Sequence, residues 1–315
     1  MSGSGGGARR APAIAPSGEQ FEIAHGEQRA TIVEVGAGVR EYFFGERPVL
    51  DPYPLQELCD GAHGAPLIPW PNRLAGGRYS FDGVEHQLAL SEPERGNAIH
   101  GLMRWRPWAA LEHAADRVTM GARLHPTPGY PFTLEMQIDY RLGDAGLTVT
   151  TTATNLGSAP CPYSAGQHPY LSTGGELIDG CELELPAATR ILTDAERQLP
   201  CGREPVARSE YDFRRRRPVG SVRLDDPFTD IERDGDGIAT VALESADGRR
   251  TELWMDERYP FVQLYTADAL DGHRHRRAIA VEPMTCAPDA FRSGDGLLRL
   301  DPGATHVGSW GVRLR

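Results

Sequence analysis

Short stretches of alternating apolar and polar residues, each closed by turn residues, recur along the chain from about Phe21 onward. Leu134, Met136, Ile138 and Tyr140 fall on every second position. Leu147, Val149, Thr151 and Ala153 do the same after Gly143-Asp144-Ala145-Gly146. A period of two sends one face of each run into a core and the other toward water, so this pair reads as a β-hairpin. Tyr79 and Phe81 alternate before Asp82-Gly83, and Val84 to Leu88 follows. Asp-Gly supplies the positive φ of a type I′ turn, which predicts a second hairpin. A third runs from Val241–Glu244 to Thr251–Trp254 across Ala246-Asp247-Gly248. Phe261 to Tyr265 and Ala278 to Val281 read as two further short strands. Helical spacing is confined to Asp194–Gln198, enough for a turn or two.

With 36 Gly and 25 Pro dividing strands of about five residues, the chain reads as all-β. Even spacing and the lack of a fixed-period repeat predict a single domain, one large antiparallel β-sandwich over residues 18–315. Residues 1–17 are mostly Gly, Ala, Pro and Ser, with almost nothing to bury, and are expected to form a disordered tail.

Composition matters here for what it excludes. Acidic side chains number 44 against 33 basic ones, for a net charge of -11, which argues against a nucleic-acid partner. All 33 basic residues are arginine. Without lysine there is no Schiff-base aldolase, no pyridoxal-phosphate enzyme and no phosphate-binding-loop NTPase. No apolar run approaches the ~20 residues of a membrane helix, so no membrane partner is expected. Arg9 and Arg10 have no apolar stretch behind them, which points to a chain without a signal peptide and to a cytoplasmic protein. Cys59, Cys161, Cys181, Cys201 and Cys286 are odd in number and contain no CxxC pair. They read as free thiols in a reducing compartment, with no zinc site.

Three segments look unlike ordinary strand or turn: Pro69-Trp70-Pro71-Asn72-Arg73-Leu74 with the later Asn97-Ala98-Ile99-His100-Gly101, Ser164 to Tyr170, and Ala280 to Cys286. Glu282 follows the apolar run Ala278–Val281, and Pro283, having no amide hydrogen, is expected to stop the strand there. Desolvation at such a terminus raises the basicity of a carboxylate and suits a general base. A rim glutamate paired with an arginine reads equally from the sequence. His168, between Gly166 and Pro169-Tyr170, is either a general acid or a hydrogen-bonded structural histidine, and His100 before Gly101 carries the same two readings. Arg73 offers a planar fork to adjacent hydroxyls, or a structural ion pair. Trp70, Trp105 and Trp108 are either sugar-stacking platforms or core. Arg214–Arg217 reads as a solvated loop or an anion site, and His273-Arg274-His275 as an exposed loop, since neighbouring arginines repel a divalent cation.

Taken together, these segments resemble the aldose 1-epimerase (galactose mutarotase) family. Asn72-Arg73-Leu74 through Asp82-Gly83 is similar to that family's N-R-I-x-x-G-x-[FY]-x-[FL]-x-G stretch, and Asn97-x-x-His100-Gly101 to its N-x-x-H-G. Gly166-Gln167-His168-Pro169-Tyr170 is similar to G-x-H-x-Y-F, with Leu171 where Phe is usual. Leu224-Asp225-Asp226-Pro227-Phe228 resembles [LI]-D-x-x-F, Phe261–Thr266 the V-Q-x-Y-T segment, and Val281-Glu282 the catalytic glutamate position. The six matches occur in the family's order over roughly residues 25 to 312.

The resemblance implies a mutarotase-like supersandwich and an isomerase that interconverts the α and β anomers of a free hexose such as glucose or galactose. It implies Glu282 as general base on the anomeric hydroxyl, His168 as general acid on the ring oxygen, and His100 polarising that oxygen. Asn72, Arg73, Asp225 (in preference to Asp226) and Gln263 would hold hydroxyls. No cofactor and no metal are implied, the partner is a small aldose, and the protein is expected to be a monomer or weak homodimer. A hexose-6-phosphate epimerase, motivated by Arg214–Arg217, and a non-catalytic sugar-binding or sensor protein are the alternatives.

Overall fold

The computed structural model describes residues 14–314 except Glu176 and Asp271. Of the expected tail, residues 1–13 lie outside the described residues. Ser17 is buried and its carbonyl accepts from the Val35 amide, so the chain has joined the fold by that point.

All three predicted hairpins form. Asp82 (φ 50°) and Gly83 (φ 78°) make the two-residue turn between Arg78–Phe81 and Val84–Gln87. Leu134–Gly143 pairs with Gly146–Asn155 along its whole length, leaving Asp144-Ala145 as the loop. Ala239–Glu244 pairs with Arg250–Met255. Asp194–Gln198 is not helical. Asp194 accepts hydrogen bonds from the amides of Glu196, Arg197 and Leu199, and these wrap the segment into a loop. The one described α-helix is the four-residue Ala290–Ser293.

Two antiparallel sheets face each other. A 12-stranded sheet carries the order Gln20–His25, Gln28–Val33, Val39–Phe44, Arg47–Leu50, Tyr170–Leu171, Ile279–Met284, Phe261–Tyr265, Asp225–Ile231, Ala187–Thr193 and Pro200–Pro205. Gly166–Gln167 and Pro66–Leu67 join it at the side of Ile279–Met284. The nine-stranded sheet centres on Gly146–Asn155, Thr305–Leu314 and Arg250–Met255. One continuous apolar cluster fills the space between them. Leu171, Val262, Leu264, Ile279 and Val281 reach into it from the first sheet, and Met136, Ile138, Val149 and Trp310 from the second. Burying these inward faces is the main drive for closing the sandwich.

The strand that carries Glu282 departs from expectation. It does not stop at Pro283 but runs Ile279–Met284, with Val262 opposite Pro283 and Phe261 opposite Met284. Val281 and Thr285 donate their amides to Pro169 and Ala165 on the other side. Strand alternation turns position 283 the same way, so the missing proline donor costs nothing on the Phe261–Tyr265 side. Glu282 therefore sits inside the strand, not at its end.

Candidate active site

Side chains alternate across Ile279–Met284, so while Ile279 and Val281 enter the core, Glu282 points to the outer face. Phe261–Tyr265 does likewise, with Val262 and Leu264 inward and Gln263 outward. On the other flank, Gly166 pairs with Met284, Tyr170 with Ala280 and Leu171 with Ile279. These pairs belong to one register, interrupted from Gln167 to Pro169. The same register sets His168 opposite Glu282, as Gln263 is opposite Glu282 on the far side. Three polar side chains thus form one row across three neighbouring strands, and all three are buried.

The row has little water and few partners. His168 Nε2 lies 3.2 Å from Glu282 Oε1. Glu282 Oε2 and His168 Nδ1 have no hydrogen-bond partner. Burial pushes the Glu282 carboxyl well above the usual range; Asp225 adds to the rise and Arg73 opposes it. Burial pushes His168 down to about 3, helped by His63 and Arg104. Burial thus favours the neutral carboxyl and the neutral imidazole in the free pair.

His100 and Asn72 both have left-handed backbones, with φ of 60° and 54°. They are locked together: the His100 amide donates to the Asn72 carbonyl, and the Asn72 amide donates to His100 Nδ1 at 3.3 Å. An accepting Nδ1 leaves the ring proton on Nε2. Burial, with His168 next, holds His100 well below the usual histidine range, so it is a neutral donor. The next residue has to be glycine, because a Cβ on Gly101 would meet the Ile68 carbonyl oxygen at 2.1 Å.

Beyond Glu282 the row continues as a hydrogen-bonded chain. Asn72 Nδ2 donates to Gln263 Oε1 at 3.2 Å, and Gln263 Nε2 donates to Asp225 Oδ1 at 2.7 Å. Gln198 Nε2 donates to Asp225 Oδ2 at 2.8 Å. Asp225 lines the cavity, whereas Asp226 is held by Arg190 at 2.6 Å. Arg73 turns its Nε and Nη2 onto Glu92 at about 3.0 Å, so the ion-pair reading is realised and Nη1 is the nitrogen left over.

All seven expected site residues, Glu282, His168, His100, Asn72, Arg73, Asp225 and Gln263, line one cavity of about 380 Å³. That volume suits a small molecule. The space lies over the Glu282–His168 pair and not between the two groups. Arg104, Gln198 and Tyr265 also line it. Arg104 and Gln198 stand in no motif, and nothing along the chain marks them; Tyr265 belongs to the V-Q-x-Y-T segment.

Other candidates fall elsewhere. Trp70 and Trp108 are core, and Trp105 is exposed outside the cavity, so none of the three is a stacking platform there. Arg214–Arg217 lies at the edge of the nine-stranded sheet, with Arg214 on Asp212 and Arg216 on Glu182 and Glu244. His275 is exposed, as expected of that loop, whereas Arg274 and Arg276 are buried and paired with acids. No group of three or more ligating side chains suited to a metal occurs among the described residues. No helix among them is long and apolar enough to cross a membrane. The departure at Leu171 faces the inter-sheet core, away from the cavity.

The sequence profile of the aldose 1-epimerase family matches residues 19–312. The chain belongs to the aldose 1-epimerase family. It is 35% identical to the uncharacterized protein YihR of Escherichia coli (strain K12), over 92% of this chain and 91% of that protein. The aldose 1-epimerase of the same organism is 25% identical over 83% of each chain. In fold, the GalM/aldose epimerase homologue from C. elegans superimposes with a TM-score of 0.83, covering 94% of this chain and 98% of that one at 18% identity. The mutarotase-like sandwich is thus the fold of this family member.

Proposed function

We propose that this protein is an aldose 1-epimerase that interconverts the α and β anomers of a free hexose such as glucose or galactose by acid/base ring opening. The observation that carries the reading is the buried Glu282–His168 contact on the floor of the cavity. Ring opening needs a base at the anomeric hydroxyl and an acid at the ring oxygen, near neutral pH and without a cofactor.

In the productive complex the pair carries one proton as carboxylate and imidazolium, the form that Arg73 favours at Glu282. Glu282 takes the proton of O1–H as C1–O1 becomes a carbonyl. The C1–O5 bond breaks, and O5 takes the proton of His168. The pair then stands as carboxylic acid and neutral imidazole, the form that burial favours in the free protein. Desolvation therefore pulls the proton flow in the ring-opening direction. Rotation about C1–C2 and closure on the other face return both protons and invert the anomer. His100 donates from Nε2 to the ring oxygen as a neutral group. Asn72, Asp225 and Gln263 hold hydroxyls from the hydrogen-bonded chain they already form, with Arg73 Nη1 beside them.

The alternatives lose their motivation. The arginine run behind a phosphorylated substrate lies at the edge of the other sheet, with Arg214 and Arg216 engaged by acids. The tryptophans behind a binding module do not line the cavity. The test is optical rotation after dissolving pure α-D-glucose or α-D-galactose, with catalytic protein and with the Glu282→Gln variant. Acceleration over spontaneous mutarotation, lost in the variant, is expected. No acceleration with either sugar or with their 6-phosphates would overturn the reading.

A further inference from the structure

A catalytic imidazole is ordinarily aimed by a hydrogen bond from its second nitrogen to a carboxylate or carbonyl. His168 has no such bond to another residue: its Nδ1 is buried, with only its own backbone to turn to. Its backbone is tied down, amide to the Ala65 carbonyl and carbonyl to the Gly64 amide, but this leaves the ring free to turn. What touches the ring is aromatic. Tyr170, two residues on and hence on the same face of the strand, stacks on it with centroids 5.0 Å apart and planes 20° from parallel. His100 meets it edge-on at 5.4 Å.

Tyr170 is itself held twice. Its hydroxyl donates to the Gly61 carbonyl at 2.8 Å. The ring of His63 lies against it at 3.8 Å and within 4° of parallel. His63 has an acceptor facing each nitrogen, the Asp60 carbonyl oxygen 3.1 Å from Nδ1 and Asp51 Oδ2 3.0 Å from Nε2, and a neutral ring donates to one of them at a time. Asp60 is pinned in turn by Arg274. The loop that presents His63 is bent through three left-handed residues, Gly61, Ala62 and Gly64. Ala62 adopts that conformation at a cost of about 1–3 kcal/mol, as backbone that serves a site often does.

We infer that His63 is a positioning residue: clamped by Asp51 and Asp60, its ring presses Tyr170 face-on against His168 and sets the angle at which the His168 imidazole meets Glu282. Stacking replaces the missing hydrogen bond to Nδ1, so the imidazole is aimed without a carboxylate beside it. This rests on the assignment of His168 as the proton donor to the ring oxygen.

The test compares His63→Leu, which removes the flat ring, with His63→Phe, which keeps the ring and drops both clamps. A misaimed acid lowers kcat and leaves substrate binding alone. His63→Leu is expected to lower kcat about 10- to 100-fold with KM unchanged. His63→Phe is expected to restore part of that loss, the remainder being the share of the two clamps. Wild-type kcat in a folded His63→Leu protein would overturn the inference, and so would equal losses in the two variants. If His63→Leu does not fold, Asp51→Ala removes the acceptor facing His63 Nε2 at a partly exposed position. A several-fold loss of kcat at constant KM supports the inference in that variant, and an unchanged kcat overturns it. NMR of the His168 ring protons separates this failure from failure of the proposed reaction. They should move downfield in His63→Leu as the Tyr170 ring current is lost, whether or not any sugar is turned over. No movement overturns the inference even in an active enzyme.

Discussion

The two large sheets are built from the same alternation and end with opposite outer faces. On the nine-stranded sheet the outward polar side chains pair across strands, Thr119 with Asp139 at 2.8 Å and Thr150 with Ser309 at 3.0 Å. On the central strands of the 12-stranded sheet the outward residues His168, Glu282 and Gln263 are covered over, and one polar atom on each of the first two finds no partner. A buried unsatisfied polar atom costs about 1–3 kcal/mol. The first arrangement contributes to stability; the second gives up stability to hold a carboxyl and an imidazole out of water. A face that alternation alone would leave to solvent is instead enclosed by the segments carrying Asn72, His100 and Gln198, which line the cavity with it.

The largest expected effect breaks this contrast at its centre. Glu282→Gln should lower kcat/KM for mutarotation by about 10²- to 10⁴-fold. It should also make the protein harder to unfold in alkali. The folded-state pKa of Glu282 is raised, so its contribution to stability is present below the ordinary glutamate range and declines as pH rises. Glutamine has no charged form to penalise. Denaturant melts at two pH values check this, and a variant less stable than wild type in alkali would mean the carboxylate is not desolvated.

The opposite cut is Ile138→Ala, in the core under the nine-stranded sheet. It should cost about 2–5 kcal/mol of unfolding free energy. The turnover of the protein that remains folded should not change, as chemical denaturation run beside an optical-rotation assay would report.

A smaller effect concerns pH. The His168 pKa is lowered to about 3, so a second proton reaches the pair only in strong acid. The rate should stay flat between about pH 7 and about pH 5, where an ordinary histidine with pKa ~6.5 would titrate. A fall of kcat/KM centred near that ordinary value would show that His168 is solvated in the free enzyme.

The smallest effect is expected at Arg216→Ala, on the edge of the nine-stranded sheet. Its partly exposed pairs with Glu182 and Glu244 should be worth about 0–1 kcal/mol. The relative rates on glucose and glucose 6-phosphate should not move. A selective loss on the phosphate would restore the anion-site reading of the run.

Much of this was legible along the chain because it is local. Alternation at Leu134–Tyr140 and the Asp82-Gly83 turn need only neighbours, since strand period and turn φ are set within a few residues. Glu282, His168, His100 and Asn72 could be picked out because their motifs carry backbone requirements of their own, such as the glycine after His100. Pro283 misled because its missing donor falls between the Val281 and Thr285 bonds and leaves the Phe261–Tyr265 pairing intact, and which side it faces is decided by pairing partners far away in sequence.

The sequence by itself determined the all-β class, the hairpins, the family and which residues are candidates for the chemistry. The tertiary structure alone decided where those candidates lie and what each of them touches. The inter-sheet core takes Leu171 and Val281 inward and so forces Glu282 outward beside His168. The ion pair with Glu92 occupies one edge of Arg73. His63, which no motif marks, reaches His168 only through Tyr170. Each of these depends on burial and on strand register between segments more than a hundred residues apart, or on loops folded back over a sheet. Neither burial nor long-range register is a property of any short window of the chain.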